Sequence, residues 1–161
     1  MVELWVVIVL VGALAVLFGS ETSNSGASGN SNNSSGQYNR GVLQQTSPEK
    51  LRNYVATAWG NKGYNTEIKR NDAEYADVIA ESNEESVAIS VRRRQEENRV
   101  SANAVKRFAK SAADVDSDRS LIACTSYYTD EARNTAQQSD IELLDGEELA
   151  DVFTNCDDLP A

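Results

Sequence analysis

The chain has 161 residues, with 25 Asp and Glu against 15 Lys and Arg, a net charge of −10 and no histidine. That length leaves room for about one domain after a membrane-like first segment, and the acidic balance excludes general attraction of the whole molecule to nucleic acid or anionic lipid. Without an imidazole there is no Ser-His-Asp or Cys-His proton shuttle, and two cysteines, Cys124 and Cys156, with no CxxC pair exclude a structural zinc site.

From Leu4 to Phe18 every residue is apolar or glycine. Residues 1–19 as a helix span about 28 Å, the thickness of a bilayer core, so they are expected to form a single-pass membrane anchor. A cleaved signal peptide is the competing reading, but Glu3 stands where a basic residue is expected and the one Ala-x-Ala, Ala13 to Ala15, is inside the apolar run. Charge does not set the orientation, because the first basic residue is Arg40. Residues 20–47 are rich in Ser, Asn and Gly and read as a flexible tether with a reach of about 30 Å. The dense carboxylates and scarce lysines also fit a halophilic protein.

Residues 48–157 carry the domain. Ser47-Pro48-Glu49 starts a helix whose apolar positions are Leu51, Tyr54, Val55, Ala58 and Trp59, and Gly60 with Gly63 ends it. Strands are expected at Tyr64 to Lys69, Tyr75 to Glu81 and Val87 to Val91, the last two forming a hairpin across Ser82 to Glu85. Ser101 is expected to cap a helix with Val105, Phe108, Ala109 and Ala112 on its apolar side. Leu121 to Cys124 reads as a strand buried on both faces, with Cys124 a small core residue. Thr129 caps a helix to about Gln138, Ile141 to Leu144 is a strand, and Glu147 to Phe153 is the last helix. The order α-β-β-β-α-β-α-β-α predicts an α/β fold, a mixed sheet flanked by helices on both faces.

Chemistry concentrates on the hairpin, where Asp77 opens Asp-Val-Ile-Ala and Ser90-Val91-Arg92 lies on the returning strand. Together with Gly63-Tyr64, Thr129-Asp130-Glu131-Ala132, Ile141 to Gly146 and Glu148-Leu149, this motif order resembles the Mrr-type restriction endonuclease domain of the PD-(D/E)xK nuclease superfamily, over about residues 48–153. The resemblance implies a restriction-endonuclease-like fold. It also implies a first-strand Asp and a return-strand Glu or Gln that hold Mg²⁺, with a Lys two residues on that orients or activates water. A hard cation on oxygen ligands would stabilise the charge of a phosphodiester under attack.

Asp77 matches that pattern, whereas Ser90 and Arg92 stand at the Glu/Gln and Lys positions. Arg92 neutralises a phosphate but stays protonated and cannot act as a base. The acid the family often has on its first helix falls at Arg52, with Glu49 one turn away. Cleavage is therefore expected to be weak or lost, with Mg²⁺ on Asp77 only in an active enzyme. The structural alternative makes Asp77 a strand-end carboxylate, solvated or paired with Arg92.

A basic patch, Arg92, Arg93, Arg94, Arg99, Lys106, Arg107 and Lys110, reverses the local charge, interrupted by Glu96 and Glu97. It suits the phosphates of duplex DNA; the alternative is a solvated face paired with the acidic C-terminal half. Three functions follow: a membrane-tethered DNA-binding pseudoenzyme, a working nuclease on Asp77, Ser90 and Glu49, or a protein-interaction or sensor module presenting Glu147, Glu148, Asp151, Asp157 and Asp158. A DNA ligand implies an anchor through residues 4–18 in the cell membrane, with the domain on the cytoplasmic side.

Overall fold

A computed structural model describes residues 38–69, 76–95, 97–156 and 159. The expected membrane segment and most of the expected tether lie outside these residues. Among the described residues no helix is long and apolar enough to cross a membrane.

Ten elements follow in order: α1 Arg40–Gln45, α2 Pro48–Asn61, β1 Asn65–Ile68, β2 Val78–Glu81, β3 Ser86–Arg92, α3 Ala102–Ala112, β4 Arg119–Cys124, α4 Asp130–Gln138, β5 Ile141–Leu144 and α5 Gly146–Thr154. From α2 onward this is the expected order. Residues 40–45, expected to belong to the tether, are instead helical, with Leu43 fully buried against the domain core. Asn39 caps that helix, its side chain accepting the Val42 N–H at 3.0 Å.

Local chemistry fixes the other helix starts. Ser47 accepts the Lys50 N–H ahead of Pro48, Thr129 accepts the Ala132 N–H, and Asp145 with Glu148 forms a reciprocal capping box. Ser101 is at the N-cap of α3, but its side chain makes no capping bond. Gly63, at φ +93°, takes the left-handed turn between α2 and β1 that a side chain would strain.

The five strands lie in sequence order, β1-β2-β3-β4-β5, antiparallel through β3 and parallel from β3 to β5. Alternation along β3 and β4 divides the core into two layers. Val87, Ile89, Val91, Leu121 and Ala123 pack with α1, α2 and α5, while Ile122 and Cys124 pack with α3 and α4. Tyr38, Tyr54 and Phe153 close the first layer with edge-to-face rings 5.6 to 6.0 Å apart. Leu121 to Cys124 is at most 2% exposed, as a strand covered on both faces requires.

Candidate nucleic-acid interface and active-site positions

β3 carries both halves of the site. Its inward residues, Val87, Ile89 and Val91, face α2, so Ser90 and Arg92 alternate to the face covered by α3 and α4. Beyond Arg92 the chain is pinned by Thr125, a fully buried residue that follows β4. The Thr125 hydroxyl accepts the Arg94 N–H and donates to the Arg94 carbonyl, both at 2.8 Å, and the Thr125 N–H donates to the Arg92 carbonyl. The arginine run is thus held as an extension of the sheet at the carboxyl ends of its parallel strands, where α/β sheets commonly present ligand sites.

From this end Arg92 and Arg94 meet Arg107 and Lys110 of α3 around a groove of about 440 Å³, with Phe108 and Ala104 also in its walls. That volume lies within the range of ligand-binding clefts. α3 presents the two cations because Val105, Phe108 and Ala112 occupy its buried side. Among the described residues, Arg92, Arg94, Arg99, Lys106, Arg107 and Lys110 make no ion pair. By contrast, Arg119 holds Glu142 through two bonds and Glu85 through a third, and Arg133 reaches Asp145. The alternative, pairing of the basic patch with the acidic C-terminal half, does not occur among the described residues. Among the described residues, Asp114 is the one acid in the groove wall.

The patch is also divided. Arg93 points to the α1 side, its guanidinium donating to the Gln44 carbonyl at 3.3 Å, while the Gln44 side chain donates to the Thr125 carbonyl at 3.0 Å. Lys106 and Arg99 are exposed outside the groove. Sequence reasoning missed Gln44 because it fell in the expected tether.

Asp77 precedes β2. Its N–H donates to the Ile89 carbonyl at 2.8 Å, and its carboxylate oxygen Oδ2 accepts the Val91 N–H at 2.7 Å, fastening the open end of the hairpin. The other oxygen, Oδ1, lies 3.6 Å from the Arg52 guanidinium on α2. The alternative pairing of Asp77 with Arg92 is therefore corrected: α2 supplies the partner, while Arg92 lines the groove beside α3. Ser90 is fully buried and its hydroxyl has no hydrogen-bond partner among the described residues. Glu49 and Arg52, one turn apart on α2, line a smaller pocket of about 200 Å³ with Asn53 and Ile68.

These residues do not fit a divalent cation. A hard metal needs several oxygen ligands at once. Among the described residues no three Asp, Glu or Cys side chains come together to hold one. Both Asp77 oxygens already have partners, and Ser90 offers a neutral hydroxyl.

The acidic surface proposed for a protein partner is partly engaged by the fold itself. Glu147 accepts the Tyr127 hydroxyl at 2.7 Å and pairs with Arg40 at 3.4 Å, and Glu148 belongs to the α5 capping box. Asp157 and Asp158 lie outside the described residues.

Residues 43–153 match the Mrr_cat family, described as restriction endonuclease. Among solved structures, the chain is similar to a protein of unknown function, AF1548, at 17% identity and a TM-score of 0.51, covering 60% of this chain and 58% of that one. It is also similar to MspJI restriction endonuclease in complex with a 27-mer oligonucleotide, at 15% identity and a TM-score of 0.50, covering 70% of this chain and 30% of that one. The chain thus spans less than two thirds of either structure, and at these identities the likeness is one of fold. No curated protein sequence matches.

Proposed function

The chain belongs to the Mrr-type restriction endonuclease family, and on that premise we propose that it is a membrane-tethered DNA-binding domain in which phosphodiester cleavage is weak or lost. The observation that carries the binding half is the groove of Arg92, Arg94, Arg107 and Lys110, four cations without an ion pair among the described residues in an otherwise acidic protein. Uncompensated guanidinium and ammonium groups converging on one cleft suit phosphate oxygens, and their counter-ions are released when a nucleic-acid strand replaces them. MspJI, of similar fold, was solved with an oligonucleotide, which supports nucleic acid as the ligand class.

The second half follows from Asp77. Cleavage in this family depends on Mg²⁺, and among the described residues no three Asp, Glu or Cys side chains come together, while both Asp77 oxygens are already engaged. The groove therefore binds, while the hairpin contributes architecture. Residues 1–19 serve as the anchor, with the domain cytoplasmic and within a tether's length of the bilayer, where chromosomal DNA is accessible. The test is a duplex DNA titration with the full chain in detergent. Binding that weakens with salt and with Arg107→Glu supports the reading, and absence of binding at low salt ends it.

A further inference from the structure

We infer that Arg52 is the built-in counter-ion of Asp77, occupying in charge and position the role of a divalent cation, so that this site is assembled without metal. The inference deepens the reading of Asp77 given above and rests on it.

Three observations converge. The Arg52 guanidinium is 3.6 Å from Asp77 Oδ1, both side chains are about a quarter exposed, and the guanidinium remains charged at every physiological pH. Asp77 Oδ2 is meanwhile committed to the Val91 N–H at 2.7 Å, so the carboxylate has a fixed orientation with one oxygen facing α2. Finally, Glu49 lies one turn from Arg52 on α2, and the two line a pocket with Asn53 and Ile68. A dication entering beside Asp77 would meet the Arg52 charge at close range. Arg52→Glu removes that charge and sets a second carboxylate opposite Asp77, an oxygen pair of the kind that a hard cation selects.

The experiment is a Mn²⁺ titration of the full chain followed by electron paramagnetic resonance, which reads bound metal directly and needs no DNA or activity. Wild type is expected to show no Mn²⁺ binding that depends on Asp77. Arg52→Glu is expected to tighten Mn²⁺ binding by about 10-fold or more, since affinity follows the number of charged ligands, and adding Asp77→Asn in that background returns it to the wild-type level. Far-UV circular dichroism confirms that the variants are folded. Should Arg52→Glu fail to fold, Arg52→Gln, which only removes the charge, is expected to tighten binding by about 3-fold.

Asp77-dependent Mn²⁺ binding in wild type overturns the inference, as does a folded Arg52→Glu protein, or a folded Arg52→Gln protein in its place, with no gain. Loss of duplex binding alongside the expected Mn²⁺ results would remove the DNA-binding function and leave this inference standing.

Discussion

The Arg52 guanidinium lies 3.6 Å from the Asp77 carboxylate and joins α2 to the start of β2. Because both groups are about a quarter exposed, solvent screens the pair, and its net contribution to stability is about 0–1 kcal/mol. Arg52→Ala is therefore expected to shift the urea midpoint little, by the equivalent of less than about 1 kcal/mol. A loss above about 3 kcal/mol, the size expected on breaking a buried pair, would mean that the pair is a structural strut rather than a local charge arrangement.

Cations of the groove and cations beside it are expected to differ in effect. Arg107→Glu and Lys110→Glu should each weaken duplex binding and lower the salt slope by about one. Arg93→Ala should do less, because the Arg93 guanidinium is held by the Gln44 carbonyl on the α1 side. Fluorescence anisotropy at several salt concentrations separates these outcomes, and equal losses at all three positions would argue against the groove as the contact.

α1 belongs to the domain, so Leu43→Ala should destabilise it by about 2–5 kcal/mol, as removal of a fully buried leucine does. Gly146 sharpens the point: a Cβ there would lie 2.7 Å from the Thr125 carbonyl oxygen and 2.8 Å from the Arg40 Cγ, so Gly146→Ala is expected to loosen the same contact between α1 and α5. Thermal denaturation reads both variants; wild-type stability in Leu43→Ala would restore residues 40–45 to the tether.

Much of this was legible in the sequence. Ser47-Pro48, Thr129 and Asp145-Gly146 marked helix starts because capping is local chemistry, and Leu121 to Cys124 marked a buried strand because a short run without polar residues has few other uses. α1 was not legible: six residues with one buried leucine are too short to hold a helix alone, and tertiary contacts from Leu43 and Gln44 support it. At the site, the charge change at Arg52 was visible, but its pairing with Asp77 joins elements distant in sequence. The division of the arginine run was hidden for the same reason, since Arg93 turns toward a helix that composition had assigned to the tether.

Burial pushes the Cys124 thiol from its ordinary value of 9.0 up to about 11, and burial also raises Tyr128 beside it. The folded state then holds protons that the unfolded state releases, so the contribution is complete below about pH 9 and is lost as pH rises toward 11. Urea midpoints are expected to fall through that window, and Cys124→Ala should flatten the part due to the thiol. The same burial keeps Cys124 unreactive at neutral pH, leaving half-buried Cys156 as the residue for thiol labelling.

The most direct test of a domain that binds DNA without cutting it is one titration of the full chain against duplex DNA, in EDTA and in Mg²⁺ at matched ionic strength, with plasmid integrity followed alongside. Four phosphate contacts predict a loss of affinity of about 100-fold between about 50 and 200 mM salt. The account predicts that loss, binding that needs no Mg²⁺ and so persists in EDTA, and intact plasmid in Mg²⁺. Absence of binding at low salt, or Mg²⁺-dependent cleavage abolished by Asp77→Ala, would contradict it.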